Sequence, residues 1–207
     1  MKIKSLATCS PMLLCLVAGA ARADLEPFSF GASELLQHQS NVFHSDVDHR
    51  GDWLSTTELQ AAVDQAISRE RLLAGAKVDL NHYFEMRSRD SIGYSANGEL
   101  DWSTVGDLSG AFGADSRRHQ YLYGLEGDRA SSSRNLQTDN HAFANVQLGA
   151  MARWSIFAGV DASQRRYSDP QFDLNEIKQW SASGGTSYQT SPDLSFGLHG
   201  RYTHGTY

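Results

Sequence analysis

"AKVDLNHYFEMR", residues 76–87, decides how the chain is read. Its even positions are Ala76, Val78, Leu80, His82, Phe84 and Met86, mostly apolar. Its odd positions are Lys77, Asp79, Asn81, Tyr83, Glu85 and Arg87, mostly charged or hydrogen-bonding. A period of two is the signature of a β-strand with two unlike faces. Twelve residues is long for such a strand in a soluble domain, where five or six is usual. It is the length that crosses a bilayer at a tilt.

The same alternation recurs outward from this stretch. Ile92, Tyr94, Ala96, Gly98, Leu100 and Trp102 form one face of the next run. Leu108, Phe112 and Ala114 begin another, followed by Ala142, Ala144, Val146 and Leu148, then Ile156, Ala158, Val160 and Ala162. Trp180, Ala182, Thr186 and Tyr188 lead to a last run with Leu194, Phe196, Leu198 and Tyr202. Upstream, residues 56–74 carry both signals. Ser55-Thr56-Thr57-Glu58 fits a helix capping box, with Leu59, Val63, Ala66 and Ile67 at helical spacing, yet Leu59, Ala61, Val63 and Ile67 also alternate. Strand is preferred because the stretch runs straight into the clear alternation that follows.

Connections near 68–71, 104–107, 151–154 and 190–193 are short, whereas those near 39–52, 117–139 and 166–176 are longer and polar, with 87–90 a short member of this second class. Alternation of tight turns with larger loops is the habit of outer-membrane barrels. With a first strand near 28–38, about nine strands are expected. The expectation is therefore all-β: an antiparallel transmembrane outer-membrane β-barrel over residues 24–207. An odd count puts the two ends of the sheet at opposite membrane surfaces, so an incomplete copy of a larger barrel is expected; a shorter barrel with one strand miscounted is the alternative.

Residues 1–23 read as a signal peptide. Lys2 and Lys4 precede an apolar stretch from Leu6 to Ala21, and Ala21-Arg22-Ala23 offers small residues before a cleavage site at Asp24. A short N-terminal anchor is the other reading. Both cysteines, Cys9 and Cys15, fall in that segment, so the remaining chain has no disulfide. Without Lys2, Lys4 and Arg22, the 18 basic side chains fall to 15 against 24 acidic ones, a net charge near −9. Such a balance argues against nucleic acid as a partner.

In hydrocarbon an unpaired backbone N–H or C=O costs several kcal/mol, so a spanning sheet must close on itself. Closure sets one face against lipid and the other against a lumen. A hairpin turning at 88–90 pairs Phe84 with Tyr94, Val78 with Leu100 and Ala76 with Trp102 on the lipid side. Inside, it sets Lys77 against Asp101, Asp79 against Glu99, and Glu85 against Gly93. The lumen-lining candidates are thus Lys77, Asp79, Tyr83, Glu85, Glu99 and Asp101. His82 is the misfit of the apolar side and is assigned no function.

"SNVFHSDVDHRGDWLSTTELQAAVDQAISRERLLAGAKVDLNHYF", residues 40–84, resembles the start of the outer-membrane barrels encoded in exopolysaccharide biosynthesis operons, the EpsL type of β-barrel porin. The features that carry the resemblance are an Asn41-Val42-Phe43 turn, a Thr-rich strand and the Arg69-Glu70-Arg71 turn. "SRNLQT" at 133–138, Ser191-Pro192-Asp193 and "GRYTHGTY" at 200–207 are similar too. Members are longer, so the resemblance implies an N-terminal portion. It also implies a role in making or exporting a secreted polysaccharide, with outer-membrane lipid, the polymer and components of an export system as partners. It carries no catalytic residues.

Chemistry is sparse. His44, Asp46, Asp48 and His49 match no defined metal-ligand spacing, so no metal is expected. No Gly-x-Ser-x-Gly elbow and no cofactor motif occur, although a Ser–His site assembled from separate strands stays open. Glu85 and Glu99 are the one carboxylate pair that a glycan-cleaving enzyme would use; a solvated channel wall explains them more simply. The expected function is an outer-membrane pore or secretion accessory, not an enzyme. A barrel-embedded glycan-modifying enzyme and a structural or adhesive barrel are the alternatives.

Overall fold

The computed structural model describes residues 27–43, 49–121, 134–149, 152–191 and 194–206. The expected signal peptide lies outside them. Nine antiparallel strands form one sheet in sequence order: β1 (Phe28–Gln39), β2 (Asp52–Ile67), β3 (Glu70–Tyr83), β4 (Ser91–Ser103), β5 (Leu108–Gln120), β6 (Leu136–Leu148), β7 (Trp154–Tyr167), β8 (Ile177–Ser191) and β9 (Leu194–Thr206). Every neighbouring pair is a simple hairpin. Among the described residues no pairing joins β1 to β9, so the sheet is open. No helix among them is long and apolar enough to cross a membrane, which says nothing of crossing by strands.

Residues 56–67 and 70–74 are strand, not helix. Leu59, Ala61 and Val63 of β2 stand opposite Val78, Ala76 and Ala74 of β3, so two apolar rows meet across the pair. β-branched Thr56, Thr57 and Val63 favour this pleated setting. A two-residue turn joins the strands, with Ser68 at φ 61°, the left-handed geometry that suits a tight hairpin.

The faces are inverted relative to a soluble sheet. Along β3 and β7 the polar odd positions are half-buried while the apolar even ones lie open. Phe30, Leu198 and Phe196 are 82%, 77% and 61% exposed. The sheet thus curls around its polar face. Patches of this size on a protein surface mark a surface meant to be covered.

What core there is sits at one end, among the longer connections. Val42, Leu54 and Tyr83 are buried together with Met86 against them. Arg50 and Arg89 stack over the Phe43 ring, 4.7 and 5.2 Å from its centre. Asp52 fastens this cap. Its carboxylate accepts the backbone N–H of Trp53, Glu85 and Met86 at 2.7–3.2 Å. A second cap forms around Phe172, whose ring packs against Tyr121 and Tyr167 at 5.5 and 5.6 Å. Fully buried Asn135 supports it by accepting the Asp169 N–H at 3.1 Å.

One expectation fails here. The β3–β4 connection runs from Phe84 to Asp90 and contains a 3-10 turn at Arg87–Arg89, where a turn of three residues at 88–90 was expected. Asp52 captures the Glu85 and Met86 amides, and Asp90 takes the Tyr83 amide at 2.8 Å, so the strand is drawn off the ladder at Tyr83. The register moves by six positions. Val78 faces Tyr94, Lys77 faces Ser95, Asp79 faces Gly93, and Asp101 faces Arg71. The pairs Phe84–Tyr94, Lys77–Asp101, Asp79–Glu99 and Glu85–Gly93 are not formed. Because the shift is even, every side chain keeps its face.

Candidate functional site

The polar face is built by the odd positions of β3–β9 and the even positions of β2. Lys77, Asp79, Glu99 and Asp101 share it, as the alternation predicts. Lys77 Nζ lies 2.9 Å from Glu58 and 3.3 Å from Asp79, a cation held between carboxylates from β2 and its own strand. Glu99 stands opposite Leu73 on one side and Gly113 on the other. Asp101 stands across from Arg71, whose guanidinium turns to Asp64 at 2.6 Å.

Two candidates are placed elsewhere. Tyr83 belongs to the buried cap, with Arg89 6.0 Å from its ring centre, and offers little surface to a lumen. Glu85 leaves the sheet and is held through its backbone by Asp52. Ten residues of β3 separate Leu73, which marks the level of Glu99, from Tyr83. At about 3.3 Å per residue that is roughly 30 Å, far beyond the spacing of carboxylates that act together on a glycosidic bond. Glu85 and Glu99 are not a pair.

The structure adds groups that the sequence reading passed over, all on the same face of β5–β9. Asp161 accepts from Ser181 Oγ at 2.5 Å and from Arg201 at 3.0 Å. Asp139 holds Arg165 at 2.8 Å and Gln137 at 2.7 Å. Asp115 meets His141 Nδ1 at 3.0 Å. Aromatic rings lie between these ions: His141 stacks on Phe143 with centres 5.8 Å apart, and Phe157 on His199 at 5.4 Å. The parity of the alternation carried the signal; continuing the odd positions past Asp101 reaches each of them.

Phe143 and Phe157 lie across from glycines, Gly113 and Gly185. A Cβ at Gly185 would come within 2.4 Å of the Leu198 carbonyl and 2.7 Å of the Phe157 ring. The glycine leaves the ring room to lie flat on the sheet, where its π face stays available. Charged side chains, amides and flat rings on one surface are what hydroxyl-rich ligands use, through hydrogen bonds and stacking.

The apolar face is interrupted on β1–β3. Glu34 stands on it and accepts from the hydroxyls of Ser55 and Thr57. His82, on that face at the loop end, pairs with Asp90 at 2.9 Å. Of the His44–His49 cluster, residues 44–48 lie outside the described residues; His49 contacts Asn41 at 3.3 Å. Among the described residues no group of three or more His, Cys, Asp or Glu is placed to hold a metal ion.

No protein-family model, curated protein or solved structure matches the chain.

Proposed function

We propose that the nine strands are the wall of an outer-membrane β-barrel that takes part in exopolysaccharide biosynthesis and export, as a pore or secretion accessory. The inverted sheet carries this reading. Its large exposed apolar side chains stand mostly on the outward face, as along β3 and β7, while the ion pairs Lys77–Glu58, Arg165–Asp139 and Arg201–Asp161 stand on the inward one. Water has no use for such an outside; hydrocarbon does. Aromatic rings stand near both ends of the apolar face, with Trp102 and the Trp154–Tyr188 pair, 4.8 Å apart, at the turn end, and Trp53 and Tyr94 at the loop end. Amphipathic rings settle at the two membrane interfaces. β1 and β9 run in the same direction, so antiparallel closure calls for further strands beside them.

The polysaccharide assignment rests on the sequence resemblance and on the polar face, whose stacked rings and carboxylates suit a hydrated sugar chain. Deleting the gene tests it: secreted polysaccharide is expected to fall sharply, and an unchanged yield overturns the assignment. Detergent-extracted protein placed in a planar bilayer separates pore from accessory, since only a pore conducts. Recovery of the protein as a free soluble species, with none in the outer-membrane fraction, overturns the barrel reading itself.

A further inference from the structure

The apolar face of β4–β9 carries a second pattern, independent of the polysaccharide path. Its charged side chains are Arg118 on β5, Arg166 on β7 and Lys178 on β8. All are cations, all lie at the loop end, and no Asp or Glu stands on that face of these strands among the described residues.

Cross-strand pairing arranges the face in levels. Tyr94, Arg118, Thr138 and Arg166 make the first. Ser116, Asn140, Gln164 and Lys178 make the second. Gly98, Ala114, Ala142, Ala162, Trp180 and His204 make the third. Successive levels are two residues, about 7 Å, apart. Small side chains on the third level open a groove of about 860 Å³ with Trp180 as one wall. A second hollow of about 510 Å³ follows toward the turn end, between Phe112 and Val160.

The cations thus stand on the first two levels, the second adding hydroxyl and amide groups, and the third is small apolar surface bounded by Trp180 and His204. Arg118 Nε is buried, with no hydrogen-bond partner among the described residues. Arg166 lies against the Gln164 amide, whose oxygen accepts from the guanidinium when turned toward it, and Glu176, two residues before Lys178, is engaged by the Tyr167 N–H at 3.1 Å. Ser116 donates to Asn140 at 2.7 Å. On β1–β3 the order is absent: there the charges on the apolar face are the carboxylates Glu34 and, at the turn end, Glu70.

We infer that the apolar face of β4–β9 is a binding groove for an acyl lipid with a phosphate headgroup. The phosphate meets Arg118, Arg166 and Lys178, the ester or amide linkage meets Ser116 and Asn140, and an acyl chain lies over the alanines beside Trp180. This inference rests on the membrane reading above, and its test keeps the two apart.

The full chain is reconstituted into phosphatidylcholine vesicles containing phosphatidylglycerol, with dibrominated acyl chains on one lipid or the other. Bromine quenches indole on contact; subtracting the signal of Trp180→Phe isolates Trp180. Brominated phosphatidylglycerol is expected to quench Trp180 at least about fivefold more strongly than brominated phosphatidylcholine at equal mole fraction, the equivalent of one cationic contact. Arg118→Gln with Arg166→Gln is expected to remove the preference while general quenching persists. Equal quenching by both lipids, or a preference that survives the double substitution, overturns the groove and leaves the barrel standing. If neither lipid quenches any tryptophan, membrane insertion fails and the groove falls with it.

Discussion

The loop end and the body of the sheet are stabilised by opposite means. At the loop end, Val42, Leu54 and Tyr83 bury one another, Asp52 gathers three amides, and Phe172 closes over Tyr121 and Tyr167. That region is organised like a small soluble core. Along the body, Phe112, Val160 and Ile156 are more than half exposed, and the buried side of the sheet is polar. The body keeps its backbone hydrogen bonds, but among the described residues its apolar face is covered by no second layer and its side chains meet only neighbours on the same face, as Trp154 meets Tyr188. On the proposed membrane reading, the body is expected to depend on what surrounds it and the cap is not.

Removing the surroundings is the harshest way to break this contrast. Dilution of detergent-held protein below the detergent's micelle-forming concentration is expected to abolish a soluble sheet, read as loss of the β signal in far-ultraviolet circular dichroism and as sedimenting aggregate. A soluble, fully β species after dilution shows that the apolar face is covered by the chain itself.

A single cation on either face sharpens the same point. Val160→Arg sets a charge on the apolar face midway along β7 and is expected to cost about 2–4 kcal/mol in vesicles, the usual penalty for Arg near a bilayer midplane. Ser163→Arg, three positions on and facing inward, is expected to change little. Denaturant titration in vesicles compares the two; equal losses contradict the assignment of faces. Asp52→Ala attacks the cap instead. Hydrogen bonds to charged groups are worth about 1.5–3 kcal/mol, so the loss is expected to loosen residues 84–90 and open Arg87 and Arg89 to trypsin. The β signal of the body should remain.

These two regions also differ in how far the sequence disclosed them. The body was legible because alternation is a local property with a fixed period. Lys77, Asp79, Glu99 and Asp101 fall on the polar face as read, and Phe112 and Val160 on the apolar one. The cap was not, because it is made by contacts between residues distant in sequence. Asp52 captures amides more than thirty positions away, and nothing near Glu85 announces this. The consequence was a register wrong by six residues, yet still even, so the faces survived while the partners did not. Glu85 was misplaced for the same reason: alternation continues through residues 84–87, but the ladder does not, while Tyr83 keeps its inward face opposite Leu54 and is buried in the cap. His82 is explained by position, since at the rim of the apolar face it finds Asp90.

The mildest test concerns Lys77. Its ammonium sits between Glu58 and Asp79, with the three side chains 23–38% exposed. Pairs so open to water contribute at most about 1 kcal/mol, so Lys77→Met should leave the unfolding midpoint nearly unchanged. The electrostatic effect is different in kind. Without the ammonium, two carboxylates stand uncompensated on the polar face, which Glu99 and Asp101 share nearer the turn end. A conducting barrel should then turn more selective for cations, seen as a shift of reversal potential toward the cation's equilibrium value under a salt gradient. Stability lost without any shift in selectivity would place Lys77 in the structure of the sheet and outside the ion path. A shift with stability intact is the outcome expected of a residue that lines a water-filled interior.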